Sequence, residues 1–268
     1  MSRETDLNSS VWNRTSGAEG KVAMKRLERK IAIVTGSSSG IGKAIALRFA
    51  EEGATVVIAA RRLVLCEQVA ATIRERGGQA AVIQTDVTDE AQVTRLISGT
   101  TQQFGKIDIL VNNAGVILGE HIADTSTETY DRVLNTNLRG MFFCCREGFR
   151  VMKQNGGGNI INMSSVAGVE SWSGTGTYSA SKFGILGLTQ ALADEGRPHK
   201  IRVTAICPGR VADELVDASR EEREKGGLID PFDIAETAVY LATLGPNAIV
   251  HRVVVDRMWA DWGRGVPD

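Results

Sequence analysis

From Lys30 to Gly209 the chain repeats one unit, a short apolar run followed by a longer amphipathic stretch. The apolar runs are IAIVTG (31–36), TVVIAA (55–60), AAVIQTDV (80–87), IDILVNNAG (107–115), GNIINMSS (158–165) and IRVTAICPG (201–209). Helical segments are expected between them, over 41–52, up to Arg76, and over 89–104, 127–153 and 179–195. The runs are nearly continuous in apolar residues instead of alternating with polar ones, the pattern of strands buried on both faces. Strand and helix in this succession require right-handed crossovers and a parallel sheet. The expected fold class is therefore α/β, a doubly wound parallel sheet with helices on both faces. Ligands of such sheets bind beyond the carboxyl ends of the strands, where the strand order reverses.

A length of 268 residues would permit two small domains, but no long linker interrupts the repeat. The expectation is a polar, flexible tail over 1–26 and one catalytic domain over 27–268. The formal net charge is −1, which gives no electrostatic reason to expect nucleic acid or an anionic membrane as partner. No apolar run approaches the ~20 residues that span a bilayer, and the first residues lack the apolar core of a secretory signal. A cytoplasmic protein is expected. Cys66, Cys144, Cys145 and Cys207 form no C-x-x-C pair and read as buried thiols of a reducing compartment. The histidines are scattered, without metal-ligand spacing, so no metal is expected.

VTGSSSGIG (34–42) follows the first strand and opens the first helix. Gly36, Gly40 and Gly42, with Ser38, Ser39 and Ile41 between them, let the backbone turn tightly and approach a pyrophosphate at a helix N-terminus. The spacing is G-x-x-x-G-x-G, not the commoner G-x-G-x-x-G. About 20 residues beyond such a turn, a carboxylate would hold the ribose hydroxyls of NAD. This chain has Ala59, Ala60, Arg61 and Arg62 there. A guanidinium holds a 2′-phosphate bidentately, so NADP is expected over NAD.

In TYSASKFG (177–184), Tyr178 and Lys182 stand four apart, on one helical face, with only Ser179, Ala180 and Ser181 between them. A phenol with a free pKa of about 10 is a poor acid–base group at neutral pH. A neighbouring cation stabilises its phenolate and lowers that pKa, and small neighbours let a cofactor come close. The glycine turn, NNAG (112–115), Ser165, Tyr178 and Lys182, in this order, resemble the short-chain dehydrogenase/reductase family over about Lys30 to Gly209. The resemblance implies a Rossmann-like domain, a nicotinamide cofactor and interconversion of a carbonyl with a secondary alcohol. It also implies the site. Tyr178 would be the general acid/base, Ser165 would hold the substrate oxygen, and Asn137 would help hold a water relay to Lys182. Asp86 and Val87 would lie beside the adenine, Asn113, Ala114, Gly115 and Val211 would line the cofactor with Tyr178 and Lys182, and Pro208 and Gly209 would face the nicotinamide. Asn112 would tie neighbouring strands together.

Two departures from the family pattern stand out. Asp213 occupies the place after PG where many members carry Thr. The C-terminal GPNAIVHRVVVDRMWADWGRG replaces the T-G-x-x-x-x-x-D-G-G of many ketoacyl-carrier-protein reductases. The short, charged segment after Gly209 favours a small or polar carbonyl substrate. Competing readings are a 3-oxoacyl-carrier-protein reductase and a non-catalytic, cofactor-sensing scaffold; retention of Ser165, Tyr178 and Lys182 argues against the second. The family also implies a homotetramer, with a dimer as fallback, paired through the helices expected over 127–153 and 179–195. MFFCC and FGILGLTQALA on those helices are more apolar than one buried face requires.

Overall fold

The computed structural model describes residues 25–212 and 227–258. Nearly all of the expected tail, Asp213, most of the charged REEREKGG segment and the last ten residues lie outside that range. The strands are β1 (Ile31–Thr35), β2 (Thr55–Ala59), β3 (Gln79–Val82), β4 (Ile109–Asn112), β5 (Gly158–Met163), β6 (Ile201–Pro208) and β7 (Arg252–Val255). They form one parallel sheet in the order β3-β2-β1-β4-β5-β6-β7. The order reverses between β1 and β4, so the expected α/β, doubly wound architecture is the observed one.

Alternate residues along each strand feed two cores, as the period of two demands. On one side Ala32, Val34, Val56, Ile58 and Ile161 pack under α1 (Gly40–Glu51), α2 (Leu63–Glu75) and a helix over Pro231–Ala242. On the other, Ile33, Val57, Leu110, Ile160 and Val203 pack under α3 (Glu90–Phe104), α5 (Gly140–Gln154) and α6 (Gly176–Gly196). The fourth helix is α4 (Thr127–Leu134), which makes the Pro231–Ala242 helix α7. The four cysteines are buried and free. Burial pushes the Cys145 thiol up to about 12, leaving it inert.

Several boundaries differ from expectation, each for a local reason. β3 is shorter than expected, although the Ile83 and Thr85 N–H groups still donate to the Ile58 and Ala60 carbonyls, and the chain then turns at Asp86, whose Oδ1 accepts from the Thr88 N–H at 3.0 Å. β4 ends at Asn112 because the Asn113 and Ala114 N–H groups both donate to Thr35 Oγ1, at 3.0 and 3.1 Å. The single helix expected over 127–153 is divided by a π turn, Asn135–Arg139. α7 and β7 were not anticipated. α7 carries ordinary start signals: Asp230 caps the Phe232 N–H at 2.8 Å, and Pro231 follows it.

Candidate active site

A cleft of about 930 Å3 opens at the carboxyl ends of the strands, at the reversal between β1 and β4. At its floor the chain turns from β1 into α1. Gly36 has φ +67, and a Cβ there would stand 2.8 Å from Ala114 Cα. A Cβ on Gly42 would collide with the Gly36 carbonyl oxygen. Asn113 closes the turn by donating Nδ2–H to the carbonyls of Thr35 and Gly36, at 3.1 and 3.3 Å. Ser39 caps α1 without any side-chain bond to it, which leaves the first helical N–H groups available to an anion.

Arg62 reaches back over this turn. Its Nη2 donates to Ser38 Oγ at 3.0 Å and to Ser39 Oγ at 2.6 Å. Arg61 lines the same end of the cleft, beside Asp86 and Val87. An uncapped helix N-terminus, a turn passable only to glycine and two guanidinium groups at the end of β2 fit a phosphorylated dinucleotide. No carboxylate stands at the end of β2 to oppose a 2′-phosphate.

The other half of the cleft holds Ser165, Tyr178 and Lys182. Ser165 follows β5; its Oγ donates to the Pro208 carbonyl at 3.4 Å and accepts from the Ala167 N–H at 3.1 Å. Tyr178 and Lys182 lie one turn apart on α6. Burial pushes the Tyr178 phenol above its ordinary value, opposed by a hydrogen bond with Ser165. Burial also holds the Lys182 ammonium down, to about 8. Its Nζ donates to the Met163 carbonyl at 2.9 Å. The phenol is thus raised by burial where a lowering by Lys182 was expected, and the lysine gives its hydrogen bond to the β5 backbone.

Asn137 is fully buried in the π turn, outside the cleft wall. Its Oδ1 accepts from the Val116 N–H at 2.8 Å, and its Nδ2 donates to the Val116 carbonyl at 3.0 Å and to Ser181 Oγ at 3.2 Å. It thus clamps the segment following NNAG to α6. Gly40 and Gly42 also stand off the cleft surface and shape the turn, whereas Gly36, Ser38, Ser39, Ile41, Ala114, Gly115, Pro208, Gly209 and Val211 line it. Asn112 ties β4 to β5 through Asn162 Oδ1, at 2.9 Å.

Residues outside the sequence reading complete the catalytic end. Ile117, Leu118, Glu170, Trp172 and Thr175 line the cleft, as do Asp256 and Arg257, just past β7. The C-terminal departure from the D-G-G pattern was the available signal for the last two.

The doubly wound sheet with a glycine turn at its switch point is the architecture of dinucleotide-binding proteins. Within that class, the chain belongs to the short chain dehydrogenase family, whose pattern it matches over residues 30–224. An uncharacterized oxidoreductase of Bacillus subtilis is 40% identical over 214 residues, covering 80% of this chain and 83% of that protein. An NADP-dependent (R)-specific alcohol dehydrogenase of Lentilactobacillus kefiri is 39% identical over 232 residues, covering 81% and 91%. A metagenomic short-chain oxidoreductase solved in complex with NADP superposes with a TM-score of 0.77 at 32% identity, over 88% of this chain and all of that one. A short-chain type dehydrogenase/reductase from Mycobacterium marinum gives 0.81 at 34% identity, over 87% and 96%. The chain is an oxidoreductase of this family. No described helix is long and apolar enough to cross a membrane.

Proposed function

We propose that this oxidoreductase is an NADPH-dependent carbonyl reductase, equally a secondary-alcohol dehydrogenase in reverse. The observation that carries the reading is the convergence of Ser165, Tyr178 and Lys182 on the cleft whose other end holds the glycine turn and the Arg61–Arg62 pair. Gly36, Ser38, Ser39, Arg61 and Arg62 would hold the phosphates. Asp86 and Val87 would flank the adenine, and Ala114, Gly115, Pro208, Gly209 and Val211 would seat the nicotinamide. The NADP named in the Lentilactobacillus relative and in the metagenomic structure supports this choice of cofactor.

When bound, NADPH supplies the hydride. The protein's residues handle the oxygen and the proton. Ser165 Oγ donates a hydrogen bond to the carbonyl oxygen, and Tyr178 delivers its phenolic proton to that oxygen as negative charge develops there. A phenol raised by burial stays protonated until transfer, which suits the reduction direction. Lys182, close to neutral pH in its titration, then returns a proton towards the phenolate. Asn137 holds the segment around Val116 against α6 and keeps the site in register. A homotetramer, or failing that a dimer, is part of the same proposal.

The test is a panel of ketones and secondary alcohols followed at the nicotinamide absorbance with NADPH and NADH in parallel. NADPH-dependent reduction of at least one ketone is the expected result. Binding of NADPH without turnover of any carbonyl or alcohol would favour the cofactor-sensing scaffold instead.

A further inference from the structure

Arg257 has no part in the chemistry above, yet it forms part of the wall of the catalytic end of the cleft. The register of β6 and β7 puts it there. Pro208 pairs with Val255, and the Gly209 N–H donates to the Val255 carbonyl at 2.8 Å. The two chains therefore leave the sheet side by side, Gly209-Arg210-Val211 next to Asp256-Arg257. The Ser165 hydroxyl reaches the Pro208 carbonyl, so the same short stretch joins the catalytic serine to Arg257.

The Arg257 Nε–H is buried and has no hydrogen-bond partner among the described residues. Asp256, the nearest carboxylate in sequence, does not take it up. Its Oδ1 accepts from the Arg257 backbone N–H at 2.8 Å and stands against the Cα of Gly209, where any Cβ would collide with it. The carboxylate is thus turned onto the backbone, and the guanidinium is left with a desolvated, unused donor. Buried donors are ordinarily satisfied, and a guanidinium presents paired N–H groups that match a carboxylate. Glu170, another carboxylate lining the cleft, does not take up the Arg257 Nε–H either.

We propose that Arg257 is a specificity-determining residue that receives the carboxylate of an oxo acid whose ketone lies at Ser165 and Tyr178. The substrate class is then a small oxo acid and its hydroxy acid, with the apolar lining of the cleft covering the carbon chain. This inference rests on the carbonyl-reductase reading and narrows it.

The experiment compares pyruvate, acetoacetate and levulinate with their methyl esters, as substrates of the wild type, Arg257→Met and Arg257→Lys with NADPH. At least one acid is expected to exceed its ester in kcat/KM. Arg257→Met should lower kcat/KM for that acid by about 10–100-fold, mainly through KM, the loss of one charge-assisted contact. It should leave the ester and the NADPH Kd unchanged, and Arg257→Lys should recover part of the loss. Equal losses for acid and ester, a wild type that prefers every ester, or a weakened NADPH Kd would overturn the assignment; the last would make Arg257 a cofactor contact. Calorimetric titration of the same acids into NADP+-loaded protein separates this idea from the reductase reading. An acid that binds wild type but not Arg257→Met supports the site even where no ketone turns over. No binding of any acid to the wild type refutes it even where neutral ketones are reduced.

Discussion

The Lys182 Nζ lies 5.6 Å from the centroid of the Tyr178 ring and gives its hydrogen bond to the Met163 carbonyl, not to the phenol. The two side chains share one helical face, as their spacing requires, but strand β5 decides where the ammonium points. Lys182 is buried and Tyr178 half-buried, and both titrations move towards the neutral form. In the proposed mechanism, proton transfer would begin from a protonated phenol.

Tyr178→Phe keeps the ring and removes the proton. Turnover should fall by about 10²–10⁴, while the NADPH Kd, read by fluorescence titration, stays within a factor of about two, since the phenol makes no phosphate contact. Retention of more than about half the wild-type rate would refute the acid–base assignment.

Lys182→Met should abolish turnover yet raise stability at neutral pH. The folded-state pKa, about 8, lies below the ordinary 10.5. The unfolded chain therefore binds the extra proton between those values, and the penalty of the buried ammonium is full below pH 8 and gone above 10.5. The variant should melt roughly 2–6 °C higher at pH 7, with the difference shrinking as pH rises through that window. Calorimetry at several pH values reads it; a variant that melts lower at pH 7 would show that the bond to Met163 outweighs desolvation.

Cofactor choice should follow the end of β2. Replacing Ala60 with Asp and Arg61 with Leu should lower the NADPH/NADH ratio of kcat/KM by about one to two decades, the worth of a charge-assisted contact. Arg62→Ala should weaken both cofactors, because Arg62 braces Ser38 and Ser39 of the turn. An unchanged ratio in the double variant would remove Arg61 from the 2′-phosphate site.

Light scattering behind a sizing column should give a tetramer or a dimer. Phe142 and Phe183, on α5 and α6, are 43% and 45% exposed, and Tyr130 on α4 is also exposed. Phe142→Glu should shift the mass downward. A wild type that runs as a 28.8 kDa monomer at micromolar concentration would exclude both assemblies.

The sequence by itself determined the sheet, the turn and the shared helical face of Tyr178 and Lys182, because each rests on local rules. Continuous apolar runs mark strands buried on both faces, Gly36 and Gly42 mark a backbone approach no side chain permits, and a spacing of four puts Tyr178 above Lys182. The tertiary structure decided what depends on neighbours distant in the chain. The resemblance marks Asn137 as a site residue, but only the π turn shows that it is held between Val116 and Ser181. The direction of the Tyr178 titration followed from burial, which no spacing reveals. Arg257 lies 92 residues beyond Ser165 by number, and only the β6–β7 register, which aligns Pro208 with Val255, brings it to the same cleft.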